Sequence, residues 1–165
     1  GNIKNQALNA GPTLWLNHYR SRIICAESNM VHDRIIASHD GFLKENVEHI
    51  REFLFDKEKD EILLSDTVRL TKPGNTFVEI PFHLAPGISI SYEDNHLNLL
   101  CPGVSRGVEF YPDENIKYEI LKGQQEPFII GWYSESFMKK EPVNIIYFNT
   151  TIKFTTTFNF LIKIY

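Results

Sequence analysis

The feature that most constrains this chain is its succession of short apolar or alternating runs, rich in Ile, Val, Phe, Tyr and Thr and divided by Gly, Pro, Asn and Asp clusters. Such runs are typical of β-strands, and the clusters between them are typical of turns. Residues 40–51 lack a convincing helical spacing and contain Gly41, so we expect a loop followed by a strand there. The expected strands are Leu14–Tyr19, Arg22–Ala26, Arg34–Ser38, Val47–Phe55, Glu61–Leu70, Thr76–Leu84, Ile88–Tyr92, His96–Leu100, Gly107–Tyr111, Lys117–Leu121, Phe128–Ser134, Val143–Asn149 and Thr151–Ile164.

The turns between these runs indicate antiparallel pairing. Residues 56–60 form a charged turn between two strands of matching length, and Pro-Gly pairs at Pro73-Gly74 and Pro86-Gly87 mark two further turns. Within Thr76–Leu84 the even positions are apolar and the odd positions mixed, so one face should be core. We therefore expect an all-β fold, an antiparallel β-sandwich of many short strands resembling a supersandwich.

Length and charge restrict the class of protein further. A chain of 165 residues fits one domain, residues 1–165. Its formal net charge of −4 argues against a nucleic-acid partner, which requires a basic face. No run of about 18 apolar residues is present, so we expect no membrane span. Because the chain opens on Gly1 without a Met, we expect it to be a piece of a longer protein.

The residues that often hold metals or form disulfides give no site here. Cys25 and Cys101 are too few for a disulfide framework, and we expect both to be unpaired. The six histidines include no HxH or HExxH pair, so the sequence predicts no metal site. A metal held by His39 together with residues outside this chain is the alternative.

Candidate sugar-binding residues lie near both ends of the chain. Residues 17–20 (Asn, His, Tyr, Arg) are of the types that neutralise a uronate carboxylate and move protons, but on a strand alternate side chains diverge and cannot converge on one sugar. Trp15 and Trp132 could stack on sugar rings or could belong to the core. The substrate-binding candidates are Trp15, His18, Arg20 and Trp132, and we identify no catalytic residue.

The turn formed by His39, Asp40 and Gly41 is expected to be structural. An Asp-Gly pair after a strand suits a tight reversal in which Gly41 takes a positive φ and Asp40 accepts backbone hydrogen bonds. His39 is then a loop residue beside the turn.

Four motifs occur in order along the chain, at residues 37–43, 48–51, 62–68 and 82–87. Together they resemble the heparinase II/III-like family of polysaccharide lyases. In that family an HDGY-like turn precedes a strand with an HxR-like pair, the next strand carries an Asp signature, and a later strand ends in FHLxPG. On this resemblance Gly41, Arg51, Asp66 and Pro86 are fold determinants.

The resemblance implies a function for a parent protein more than for this chain. It implies the C-terminal β-sandwich of a periplasmic or extracellular lyase that cleaves acidic, uronate-containing polysaccharides by β-elimination, with a helical toroid as its N-terminal partner domain. Catalytic residues and zinc ligands lie mostly upstream in the family, so we expect no cofactor and no activity in this chain, while zinc remains open for the full-length protein. The alternative is a non-catalytic carbohydrate-binding or structural sandwich with exposed aromatic residues such as Trp15, Trp132 and Tyr133.

Overall fold

The computed structural model describes residues 9–11, 14–15 and 18–165 as an all-β, antiparallel protein. Its only helical element in these ranges is a short 3-10 turn, Leu43–Glu45. In this part of the chain no helix is long and apolar enough to cross a membrane. The strands are β1 Asn9–Gly11, β2 Leu14–Trp15, β3 Ser21–Ser28, β4 His32–His39, β5 Val47–Asp56, β6 Glu61–Leu70, β7 Thr76–His83, β8 Ser89–Tyr92, β9 Leu97–Leu100, β10 Gly107–Tyr111, β11 Tyr118–Lys122, β12 Trp132–Tyr133, β13 Glu141–Pro142, β14 Asn144–Ile152 and β15 Thr156–Ile164.

The chain divides into two compact units. The first contains residues 1–75 and 152–161, and the second contains residues 76–151 and 162–165. In the first unit β3, β4, β5 and β6 pair antiparallel in sequence order, and β15 lies beside β6. β1 and β2 form a separate two-stranded ladder. Whether residues 1–165 fold as one domain stays a prediction.

The second unit is a sandwich of two layers of three strands each. One has the order β10-β9-β8 and the other β11-β14-β7, while β12 and β13 form a short ladder. Phe110 of the first sheet packs edge-on to Phe82 of the second, with ring centroids 5.0 Å apart, and also contacts Phe148 at 6.2 Å. Phe110 and Phe148 are almost completely buried. These aromatic rings fill the space between the two sheets, as expected for a sandwich core.

Most expected strands are present, and three expectations need correction. The strand expected over Leu14–Tyr19 is described only at Leu14–Trp15, and residues 18–20 are not in a strand. Only Trp132–Tyr133 of the run Phe128–Ser134 is a strand, because Gly131 has a φ of +80° and Ile130 pairs with Gln124 as an isolated bridge. The last run is interrupted at residues 153–155, so its first two residues, 151 and 152, end β14 and the rest becomes β15.

The loop-then-strand prediction for residues 40–51 is confirmed. A turn and the 3-10 turn precede β5, and Asn46 takes the left-handed conformation, with a φ of +61°, immediately before the strand begins. Asn tolerates this region better than most residues because its short polar side chain bonds locally. This reversal brings the end of β4 opposite the start of β5, where the candidate site lies.

Candidate functional site

A chain of hydrogen-bonded side chains crosses three neighbouring strands of the first unit. It contains His39 at the end of β4, His49 and Arg51 on β5, and Asp66 on β6. The register places His39 directly opposite His49, and Arg51 directly opposite Asp66. Because His49 and Arg51 are two residues apart on a strand, both side chains lie on one face. We call these four residues the His-Asp relay.

The hydrogen bonds of the relay fix the tautomer of each imidazole. The Gly41 amide donates to Nδ1 of His39 at 3.1 Å, so that nitrogen is an acceptor and the proton of a neutral ring is on Nε2. Nε2 of His39 then donates to Nδ1 of His49 at 3.1 Å. Nε2 of His49 in turn donates to Oδ1 of Asp66 at 2.7 Å. Every ring nitrogen in the relay is therefore engaged.

The relay ends on a buried carboxylate. The Asp66 side chain is only 1% exposed, and Arg51 donates to both of its oxygens at 2.7 Å, from Nε and from a terminal guanidinium nitrogen. Such two-point pairing holds a carboxylate in a fixed orientation. Burial by itself would raise the pKa of Asp66, but the hydrogen bonds from His49 and Arg51 outweigh it and the pKa is lowered. Asp66 is thus held in its charged form as the anchor of the relay.

The surroundings of His39 favour its neutral form. Burial lowers the pKa of His39, and the neighbouring His49 lowers it further. The rings of Tyr19, Phe42 and His49 each lie 5.2 Å from the ring of His39, centroid to centroid. A protonated His39 would also direct an N–H at the Gly41 amide, which itself donates. Charge on this ring is therefore disfavoured by desolvation and by geometry.

This arrangement suits the positioning of side chains within the sheet more than it suits catalysis. A general base needs a free lone pair within reach of its substrate, and a metal ligand needs one directed at the metal. Neither His39 nor His49 offers a free nitrogen. Within residues 9–11, 14–15 and 18–165, no group of three or more His, Cys, Asp or Glu side chains is arranged to hold a metal ion. A metal held by His39 together with residues outside this chain stays a prediction.

The conformation expected for Gly41 is wrong, although the residue is constrained. Its φ is not in the left-handed region; instead, a Cβ at this position would lie 2.9 Å from Nδ1 of His39. Glycine is needed because the imidazole approaches the backbone closely. Asp40 does accept a backbone hydrogen bond, from the amide of Arg20 at 2.6 Å. His39 itself is the last residue of β4 and not a loop residue.

The structure places the substrate-binding candidates as follows. Trp15 lies in β2, but its side chain is outside the described residues. His18 and Arg20 are exposed and lie in a segment without strand structure, so the expected alternation of residues 17–20 on a strand does not hold for them. The backbone of Arg20 pairs with Asp40, which ties this segment to the turn. A sugar-binding role for these residues stays a prediction.

Trp132 in the second unit is half-buried and already has partners. Its indole N–H donates to the carbonyl of Gln124 at 3.0 Å, and the ammonium of Lys140 lies 4.3 Å from its ring centroid. A sugar stacking on that face would have to displace Lys140. Tyr133 beside it is 42% exposed.

The contact between His39 and His49 was not predicted from the sequence. The sequence feature that could have indicated the relay was the spacing of His49 and Arg51, which puts a base and a cation on one strand face, with Asp66 on the following strand.

The two cysteines are free, as predicted, with Cys25 half-buried and Cys101 exposed.

Comparison with known proteins gives a family and a fold. The family model described as heparinase II/III-like, C-terminal, matches residues 4–160. No curated protein sequence matches the chain. Among solved structures, heparan sulfate lyase HepC from Pedobacter heparinus superposes with a TM-score of 0.69 at 14% identity, over 88% of this chain and 22% of that one.

Two other solved structures agree. The heparinase III BT4657 gene product with methylated lysines gives a TM-score of 0.65 at 15% identity, over 88% of this chain and 21% of that chain. Another heparinase III gives 0.64 at 10% identity, over 87% and 21%. The chain spans about a fifth of the length of these proteins, and at such identities the likeness shows the fold. The match over residues 4–160 shows that the chain belongs to the heparinase II/III-like family, as a C-terminal domain of that family.

Proposed function

We propose that this chain is the non-catalytic C-terminal β-sandwich of a lyase that cleaves uronate-containing polysaccharides by β-elimination. The observation that carries the proposal is the family match over residues 4–160, in a chain that spans about a fifth of its structural neighbours. Those neighbours are a heparan sulfate lyase and heparinases with a larger N-terminal part. In our proposal a helical toroid forms that part, and the parent protein is periplasmic or extracellular because acidic polysaccharides occur outside the cytoplasm.

The chemistry supports this division of labour. Elimination removes the proton beside the uronate carboxylate, which requires neutralisation of that carboxylate, a base and an acid converging in a cleft. The relay has the right residue types, but Arg51 is committed to Asp66 and both imidazoles lack a free nitrogen. We therefore assign the relay to holding β4, β5 and β6 in register, and the catalytic groups and any zinc to the upstream part.

The test is to compare the isolated chain with its parent polypeptide on heparan sulfate and on alginate. Product is followed by the ultraviolet absorbance of the unsaturated uronate. We expect turnover by the parent and none by the chain alone. Turnover by the isolated chain would contradict the division of labour, and a parent inactive on every uronate polymer would contradict the proposed reaction.

The relay assignment has its own control. Asp66→Asn and His49→Gln should lower the stability of the chain, whereas a catalytic role would abolish turnover by a parent protein that remains folded. Loss of turnover with unchanged unfolding would show that the relay belongs to the active site.

A further inference from the structure

Among the described residues, the outer edge of β3 and the sheet face beside it expose several large apolar side chains. In the part of the chain that the structure describes, β3 pairs with β4 alone, leaving its other edge open. The eight residues of β3 include no Lys and no Pro, although Arg22, Glu27 and a bulge between Ile23 and Cys25 are among the features by which natural edge strands limit pairing. Ile23 is 70% exposed and Ile24 is 50% exposed.

The apolar surface continues from the edge onto one face of the sheet. Ile23 pairs with Ala37, and Ile35, two residues before Ala37, pairs with Phe53. These positions share a face because side chains two residues apart on a strand point the same way. Ile35 is 46% exposed and Phe53 is 43% exposed. Isolated exposed apolar residues are ordinary, but a contiguous row beside an open edge indicates an interaction surface.

The backbone pairing shows which groups the edge offers. The amide of Asp40 bonds to the carbonyl of Arg20 at one end of the β3–β4 ladder, and the amide of Asn29 bonds to the carbonyl of His32 at the other. Hydrogen bonding alternates along an antiparallel strand, and a bulge shifts the register between Ile23 and Cys25. The outward N–H and C=O groups are therefore those of Ser21, Ile23, Ala26 and Ser28, whose side chains lie on the apolar face.

We infer that this surface, which we call the β3 seam, receives an extended strand of the polypeptide that precedes the domain in its parent protein. The seam consists of the outward backbone of Ser21–Ser28 together with the side chains of Ile23, Ile35 and Phe53. The inference rests on the proposed function, since it takes the chain to be part of a longer lyase. The occupant follows from the comparisons, because the neighbours carry nearly four-fifths of their length outside the matched region.

The seam also defines the chemistry of the added strand. The added strand pairs with Ser21 and Ile23 before the bulge and with Ala26 and Ser28 after the bulge. The side chains of the added strand that lie beside Ile23 and Ile35 are apolar, and they bury apolar surface that is exposed to water in the isolated chain. The bulge interrupts regular pairing, so the seam selects a strand with a matching irregularity over an arbitrary one.

Hydrogen exchange of the backbone amides tests the inference without any substrate. We expect the amides of Ser21, Ile23, Ala26 and Ser28 to exchange at least about tenfold more slowly in the parent protein than in the isolated chain. The amides of β8, the edge strand of the second unit, serve as the control and should exchange alike in both proteins. Equal exchange of β3 in both proteins, or a gene that encodes nothing upstream of this domain, would overturn the inference.

Two further measurements separate the occupant from its alternatives. Protection of β3 that rises with the concentration of the isolated chain would identify a second copy as the occupant and refute our assignment. In the parent, Ile23→Lys combined with Ile35→Lys should abolish the protection of β3, whereas Ile129→Lys, at a residue that is 78% exposed, should not. Because neither readout uses lyase activity, an inactive parent would refute the proposed reaction and leave the seam standing.

Discussion

At the scale of single residues, the relay shows how one glycine can set the tautomers of two histidines. Gly41 is required by the approach of His39 and not by its own φ. Its amide occupies Nδ1 of His39, and this one bond sets the direction of every following hydrogen bond to Asp66. Loss of the first donor therefore affects the whole relay.

Gly41→Ala should lower the free energy of unfolding by about 1–3 kcal/mol, because the new Cβ displaces His39 and leaves buried polar groups without partners. Chemical denaturation measures the effect. The matched control is Gly74→Ala, where a Cβ would meet nothing within 4 Å and φ is not in the left-handed region. If Gly41→Ala proved as harmless as the control, the close approach would not constrain this position.

His39 also predicts a pH dependence. Its folded pKa is lowered by burial and by His49, below the ordinary value of 6.5. Between these two values the unfolded chain binds a proton that the folded chain does not, so the unfolding free energy decreases as the pH falls from 6.5 towards the lowered pKa. Stability should be fully retained above the ordinary value.

Unfolding free energies measured from about pH 8 to about pH 5 should show this loss in the native chain. His39→Gln has no titrating ring and should flatten the profile in that window. The control, Asn75→Gln, changes an exposed side chain that does not titrate and should leave the profile as it is. A profile unchanged by His39→Gln would mean that another group titrates.

At the scale of elements, register determines which side chains meet. The β5–β6 hairpin pairs ten residues on each strand without a shift, from Val47 with Leu70 to Asp56 with Glu61. Its turn is held by Asp56, whose Oδ1 accepts the amides of Glu58 and Lys59. A slip of one residue would turn Asp66 to the opposite face and remove it from the relay.

The packing between the two small sheets of the second unit gives a prediction at this scale. Phe148→Ala on β14 should lower the free energy of unfolding by about 3–5 kcal/mol, because the buried ring leaves a cavity between Phe82, Phe110 and Tyr118. Phe137→Ala, at a residue that is 93% exposed, is the control and should change stability by less than about 0.5 kcal/mol. Denaturation that finds equal effects would contradict a sandwich core at Phe148.

At the scale of the whole molecule, charge limits what the chain can bind alone. The formal net charge of −4 gives a long-range repulsion from sulfated or uronate polymers. Arg22 and Arg69 both pair with Glu48, and Arg34 pairs with Glu52, which neutralises these cations locally. In the proposed function, the upstream part of the parent protein therefore supplies most of the attraction for an acidic substrate.

The isolated chain should accordingly pass through a heparin column without retention at physiological ionic strength, because the repulsion and the local ion pairs leave little net attraction. The elution position measures this directly, with the parent protein as the positive comparison. Retention of the chain that disappears on raising the salt would show a local basic site that outweighs the net charge.

The sequence by itself determined the fold class, most of the strands and the family, since these depend on local patterns of apolar residues, turn residues and ordered motifs. Arg51 and Asp66 could be named from the resemblance, but their pairing with His49 and His39 was decided by antiparallel register across three strands. The same holds for Gly41, whose constraint comes from a ring that approaches it in space. A sequence pattern specifies which face a side chain occupies, whereas the tertiary structure decides which partners lie within hydrogen-bonding distance and how much water reaches them.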